Sequence, residues 1–252
     1  MKNYKAEIKR LFDEAKSEYE SLGGWKSLNS GEWLWELIQR YFAAYWENAD
    51  VEYFKNKYNT NDAKIISEKL ISVAAKNAAL LGGVAGAAIT SDELLAIATV
   101  GEGGVGLPAN IAIALTAVGG EIILMMRLQL QLIANLGKLY NIPLNPDDPE
   151  DILTIIAFAL GGSTAQMAGD LGMRVGSALA GRAAKSIFKK ETLAALKRIA
   201  AKVGIKILQK TIVNYTIPLA SIGIGAGWNY ATTKSIAKIA TNHFKSRLSE
   251  IG

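Results

Sequence analysis

The chain has 252 residues, of which half are hydrophobic and 20% are charged, and its mean hydropathy is +0.17. This length allows one large domain or a domain with an extension, and the apolar excess predicts either a large core or contact with lipid. The absence of cysteine excludes disulfides, zinc–thiolate sites and thiol catalysis, and the single histidine, His243, excludes a site built from several histidines.

Charge is distributed unevenly along the chain, although the net charge is only +5. Residues 1–170 carry 14 Lys and Arg against 21 Asp and Glu, whereas residues 171–252 carry 14 against 2. The basic C-terminal third is therefore predicted to face phosphate, as lipid headgroups, nucleic acid or an acidic partner, or else to be a solvated surface. The charged N-terminus lacks the apolar core of a signal peptide, so we expect a cytoplasmic protein.

The N-terminal region reads as two helices. Apolar residues from Tyr4 to Leu22 recur at three- and four-residue spacing, which predicts one buried helical face. Asn29 and Glu32 form a predicted capping box for the next helix, "EWLWELIQRYFAAYWENA". Its aromatic residues are too many for one stripe, which indicates either a helix clamped between two neighbours or an aromatic belt at a membrane interface.

The central region is also predicted to be helical. Asp62 caps one helix, Thr90 and Glu93 open another, and a long helix runs from Pro108 to about Tyr140. "NPDDPEDIL" has the proline and acidic residues of a helix start. Residues 152–169 and 211–233 lack charge over lengths that could span a membrane, but their polar residues and glycines favour buried helices.

Glycines recur at positions where helices could meet. Members of three pairs lie four residues apart and predict close helix crossings: Gly82 and Gly86, Gly172 and Gly176, Gly223 and Gly227. Gly101, Gly103 and Gly106 spell the G-x-G-x-x-G of dinucleotide-binding loops. Such a loop follows a strand in an alternating strand–helix fold, whereas "ELLAIATV" is capped as a helix here, so we interpret these glycines as a helix-to-helix corner.

A basic amphipathic helix is predicted between Glu191 and Lys210, with an apolar stripe on one face and cations on the other. Its candidate headgroup- or phosphate-binding residues are Lys189, Lys190, Lys197, Arg198, Lys202, Lys206 and Lys210. The alternative is an ordinary outer helix of a bundle. The chain carries no nucleotide-binding loop of the Walker type, no hydrolase elbow and no zinc-protease motif, so we expect neither an enzyme nor a cofactor or metal.

Three segments, taken in order, resemble the EcsC family over roughly residues 62–250. They are "AALLGGVAGAA" (78–88), "GLPANIAIALTAVGGEIILMMRLQLQLIANLGKLYNIPLNPDDPEDIL" (106–153) and "IPLASIGIGAGWNYATTKSIAKIATNHFKSRL" (217–248). Glu121 stands where the family usually has Asp, and "LYNI" replaces its "YGYD". The positions that match its motifs are Gly106, Pro108, Glu121, Arg127, Pro218, Gly223 and Asn229.

The resemblance implies a bacterial helical protein without an established reaction, of a kind found near membrane transport genes and in antiphage defence systems. It also implies similarity to a eukaryotic senescence domain associated with lipids. Glu121 and Arg127 lie six residues apart, which is not a contact spacing on a helix, so each needs a partner from another helix if it is buried.

We therefore predict an all-α fold, a compact multi-helix bundle of tightly packed Gly/Ala-rich helices. Residues 1–58 form an aromatic-rich helical extension and residues 59–252 the EcsC-like domain. The predicted function is non-enzymatic lipid binding or peripheral association with the inner face of the membrane. In this hypothesis apolar helices contact acyl chains and the basic helix contacts anionic headgroups. The alternative is a defence-associated module that binds nucleic acid or a protein partner through the same basic surface.

Overall fold

A computed structural model describes residues 2–30, 32–88, 109–145, 151, 155 and 221–251. Within these residues the structure is helical and contains no strand, which confirms the all-α prediction. The three longest helices have 26, 31 and 31 residues. In chain order the helices are α1 (Lys2–Ser21), α2 (Gly24–Ser30), α3 (Glu32–Leu37), α4 (Ala43–Glu47), α5 (Val51–Tyr58), α6 (Ala63–Ala88), α7 (Ala109–Leu139) and α8 (Ser221–Ile251).

Helix α1 buries the face that its apolar spacing predicts. Phe12, Ala15 and Tyr19 are all buried in the core, and Leu22 is buried just beyond the end of the helix. The chain then turns at Gly23, whose φ of 93° is a left-handed conformation that favours glycine. This turn leads directly into α2 and so keeps the N-terminal helices together.

The aromatic segment forms α3 and α4, joined by a π-helical turn over Ile38–Phe42. Ser30 provides the helix cap, since its hydroxyl accepts the backbone N–H of Glu32 at 3.4 Å. Asn29, the predicted cap, lies within α2, and its side chain is outside the described residues. Trp33 and Phe42 are fully buried, which favours a helix clamped between neighbours over an exposed aromatic belt.

Side-chain caps also fix the borders of α5 and α6. The Asp50 carboxylate accepts the Tyr53 N–H at 2.9 Å, and the Asp62 carboxylate accepts the Lys64 N–H at 2.7 Å. Between the two helices, Asn59 takes a left-handed conformation with φ of 49°. The predicted role of Asp62 as a cap is confirmed.

One hydrophobic core collects side chains from both the N-terminal helices and the long helices α6, α7 and α8. Helices α6 and α8 make the most extensive contact among the described elements, followed by α1 with α7 and α6 with α7. The division at residues 58 and 59 stays a prediction, but the described helices on its two sides share this core.

Among the glycines whose surroundings the structure describes, the closest contacts are at Gly119, Gly120 and Gly137, none of which belongs to the predicted pairs. A Cβ atom at Gly119 would overlap the ring of Tyr19, and one at Gly120 would lie 2.9 Å from Cγ of Lys16. In contrast, no atom of the described residues would lie within 4 Å of a Cβ atom at Gly227. The prediction of a close crossing at Gly227 is therefore wrong, because this glycine is exposed, whereas Gly82 is buried on α6.

Within the part of the chain that the structure describes, one stretch is long and apolar enough to cross a membrane, Gly119–Leu139 of α7. Most of this stretch is buried against other helices, as expected for the core helix of a bundle. Of the two uncharged segments weighed above, 152–169 lies almost wholly outside the described residues, and the second is described only from Ser221 onward.

Candidate functional site: a groove beside a buried glutamate and a half-buried arginine

Glu121 lies on α7, immediately after the two contact glycines, and only 8% of it is exposed. Its Oε1 atom accepts a hydrogen bond of 2.8 Å from Nδ2 of Asn229 on α8. Asn229 is itself buried, so this bond is shielded from water. Two of the motif positions, 108 residues apart in the sequence, are thus brought into contact.

Arg127, two turns further along α7, is held by the N-terminal helices. Its Nε donates to the hydroxyl of Tyr45 at 3.3 Å, and its guanidinium lies 4.6 Å from the ring centroid of Tyr41. Its Nη1 is 3.6 Å from the carboxylate of Glu18. Burial lowers the pKa of Arg127, but the Tyr45 hydrogen bond and nearby oxygens outweigh it, so the pKa is raised and the guanidinium stays charged.

Glu18 on α1 connects three groups at this place. Its carboxylate accepts a hydrogen bond of 2.6 Å from the Tyr41 hydroxyl and lies 3.6 Å from Nη1 of Arg40. Burial, and then the hydrogen bond to Glu18, raise the pKa of Tyr41 to about 12. Arg40 also lies 3.8 Å from the carboxylate of Glu36, so this cluster holds two guanidinium groups and two carboxylates and has no net charge.

The expectation for Glu121 and Arg127 holds in the described structure. The two side chains do not pair with each other, and each contacts a residue from another helix. Arg127 meets α1 and α4, which belong to the N-terminal segment outside the family resemblance. This partnership was not predicted, because no spacing in the sequence relates residue 127 to residues 18 and 45.

Arg127 also lines a groove of about 470 Å³. Two helical stripes form its walls: residues 70, 73, 74, 77, 80 and 81 of α6, and residues 124, 127, 128, 131, 132 and 135 of α7. Both sets follow the three- and four-residue spacing of one helix face. Leu11 from α1, Tyr45 from α4 and three residues of α5 complete the lining.

The lining is mainly apolar, and its polar side chains are neutral or cationic. Leu70, Leu81, Leu124 and Leu132 supply buried apolar surface, while Val73 and Leu80 remain 48% and 43% exposed. The polar side chains are amides, tyrosine hydroxyls and two cations: Asn77, Gln131, Asn135, Tyr45, Tyr58, Lys57 and Arg127. None of the described residues that line the groove is Asp or Glu.

Sequence reasoning missed this groove. The signal for it was a polar residue within each apolar stripe, Asn77 on α6 and Gln131 on α7, flanked by leucines at helical spacing. Such a pattern alone does not distinguish a groove from a helix border, because the open space depends on how far apart the two helices stand.

Most other candidate residues lie outside the described residues. They are Gly106, Pro108, Pro218 and the basic set Lys189, Lys190, Lys197, Arg198, Lys202, Lys206 and Lys210, together with the glycine corner at 101–106 and the cap at 146–150. Gly223 lies in the first turn of α8. In the described ranges, no group of three acidic or histidine side chains is arranged to hold a metal ion.

Comparison with known proteins gives no relative from which a function could be carried over. No family model, no curated protein and no solved structure matches the chain. The candidate function therefore depends on the geometry of the groove and its charges.

Proposed function

We propose that the chain is a non-enzymatic lipid-binding protein that associates peripherally with the inner face of a membrane. The observation that carries the proposal is the groove of about 470 Å³ between α6 and α7. Ligand pockets in proteins are mostly apolar clefts of roughly 300–1,000 Å³ with a small number of polar groups that orient the ligand. An acyl chain would lie along the leucine stripes, and the polar groups would meet its headgroup.

The exposed apolar residues of the groove support this proposal. Val73 and Leu80 stand two turns apart on α6 and leave about half of their surface in water. Exposed apolar residues are ordinary when they are single, but these two share one concave surface with the leucines of α7. A bound acyl chain would cover them and gain free energy from the apolar area removed from water.

We further propose that the chain is an EcsC-like protein. The support is that Glu121 and Asn229, two positions of the family resemblance, are buried and hydrogen-bonded to each other. In this proposal the basic segment around residues 189–210 adds electrostatic attraction to anionic headgroups, worth about 1 kcal/mol per well-placed cation.

Native mass spectrometry of the full chain, purified without detergent, tests the lipid-binding proposal. We expect a retained mass that fragments as lipid, or uptake of lipid when the protein is incubated with an extract. A clean mass without lipid, and no uptake by monodisperse protein, would contradict the proposal.

A variant that fills the groove tests whether the lipid binds in the groove. Asn77 is exposed on α6 and lines the groove, so Asn77→Trp puts a large ring into the open space without removing any core side chain. We expect this variant to lose lipid binding. Lys76→Trp is the matched control, because Lys76 is also exposed on α6 but does not line the groove. Equal binding by both variants would place the lipid elsewhere.

A further inference from the structure

We propose that the groove selects a single-chain amphiphile with a carboxylate head, that is, a fatty acid, and that Arg127 is the group that receives the carboxylate. This inference rests on the proposed lipid-binding function and names the chemical class of the ligand. Three observations carry it: the charge of the lining, the way Arg127 is held, and the size of the space.

The charge of the lining favours an anion. Lys57 and Arg127 are the charged residues among the described lining residues, and both are cations. The nearest carboxylate to Arg127 is that of Glu18, which is shared with Arg40. Arg40 is paired with Glu36 as well, so Arg127 is the one guanidinium of this cluster that lines the groove. A single guanidinium matches a carboxylate, which carries one negative charge, better than a phosphate monoester, which carries up to two.

Among the described residues, the terminal nitrogens of Arg127 have an ion-pair partner in Glu18 but no acceptor within hydrogen-bond distance. The bond from Nε to Tyr45 and the ring of Tyr41 at 4.6 Å fix the plane of the guanidinium. The distance of 3.6 Å from Nη1 to Glu18 is longer than a hydrogen bond. A guanidinium held in this way presents a planar fork of N–H groups, which is the geometry that binds a carboxylate through two parallel hydrogen bonds.

The space suits one acyl chain. About 470 Å³ lies in the lower half of the range for ligand pockets, and the two leucine stripes give it the form of a channel along α6 and α7. Arg127 lies within the α7 stripe, between Leu124 and Leu128, so the head and the beginning of the tail would touch adjacent residues of one helix.

The test measures displacement of Nile red from the full chain by palmitate, cetyl alcohol and cetyl phosphate, which share one tail and differ in the head. We expect palmitate to bind at least about 10-fold more tightly than cetyl alcohol, since hydrogen bonds to charged groups are worth about 1.5–3 kcal/mol and 1.4 kcal/mol is tenfold. Palmitate is also expected to bind more tightly than cetyl phosphate.

Two arginine variants locate the selectivity. Arg127→Met should reduce palmitate binding to the level of cetyl alcohol and leave cetyl alcohol binding unchanged, and Arg127→Lys should fall between because it keeps charge without the fork. Arg40→Met is the matched control, because Arg40 also contacts Glu18 but does not line the groove. We expect Arg40→Met to keep the preference for palmitate.

The outcomes separate the two proposals. Equal affinity for palmitate and cetyl alcohol on the wild-type chain, or tighter binding of cetyl phosphate, overturns the carboxylate inference and leaves lipid binding standing. Failure of all three amphiphiles to displace the dye, or of the dye to bind, counts against lipid binding in the groove. That outcome would contradict both the lipid-binding proposal and the carboxylate inference. The comparison of heads uses the wild-type protein, so it decides the inference even if an arginine variant does not fold.

Discussion

At Gly119 and Gly120, α7 approaches α1 so closely that neither position has room for a methyl group, whereas from Leu124 to Asn135 the same helix lines an open groove. The two stretches are adjacent in sequence and equally helical. The difference lies in the side chains of α7. Where α7 has glycines, its backbone lies directly against Tyr19 and Lys16 of α1, and where it has leucines and amides beside α6, a space remains. A rigid contact beside an open groove is a suitable design for a binding protein, because the contact holds the groove in place.

The largest expected effect comes from comparing two glycine-to-alanine variants, one at a closely packed glycine and one at an exposed glycine. Gly119→Ala places a Cβ against the buried ring of Tyr19, and overpacking of this kind costs about 1–3 kcal/mol. Gly227 is exposed and no described atom would contact the added Cβ, so Gly227→Ala should stabilise its helix by roughly 0.5–1 kcal/mol. Urea denaturation of both variants should therefore give unfolding free energies about 3 kcal/mol apart. Equal stabilities would show that α1 and α7 are not in close contact.

An intermediate effect is expected at the hydrogen bond between Glu121 of α7 and Asn229 of α8. Removing Glu121 or Asn229 leaves a buried polar partner, at a cost of about 1–3 kcal/mol for each single variant. In the double-mutant cycle of Glu121→Ala and Asn229→Ala we expect a coupling energy of about 1 kcal/mol, within the range of residues in contact. A coupling energy of zero in chemical denaturation would contradict the hydrogen bond.

The smallest effect concerns Tyr41, which contacts Glu18 and Arg127 beside the groove. Burial and the bond to Glu18 raise the pKa of Tyr41 from 10.0 to about 12 in the folded protein. The folded state therefore holds this proton more firmly than the unfolded chain, so the stabilisation is present below pH 10 and is lost as the pH rises through 12. Stability measured across this window should fall less steeply in Tyr41→Phe. Identical slopes in both proteins would mean that Tyr41 does not keep its proton in this cluster.

Much of the helical organisation could be predicted because its causes are local. The buried face of α1, the Asp62 cap and the extent of α7 all follow from spacing and capping within a few residues. At the start of α3 the sequence offers two neighbouring cap residues, Asn29 and Ser30, and the hydroxyl of Ser30 is the described group that accepts the Glu32 N–H. Local signals of this kind identify a helix better than they identify its first residue.

The candidate site could be predicted only in part. Glu121, Arg127 and Asn229 were singled out from the sequence, but Glu18 and Tyr45 were not, because they lie in the N-terminal segment, far from Arg127 along the chain. The glycine pairs were chosen by spacing, yet spacing does not say which side of a helix faces a neighbour. Gly119 and Gly120, adjacent rather than four apart, are the ones that meet α1.

The amino-acid sequence by itself determined that this protein is built from helices and which faces of several of them are apolar, because both follow from interactions between residues within one or two turns. Only the tertiary structure decided that Glu121 meets Asn229, that Arg127 meets α1 and α4, and that a groove remains between α6 and α7. Those outcomes depend on how closely and at what rotation separate helices pack, and that is set by all their side chains together.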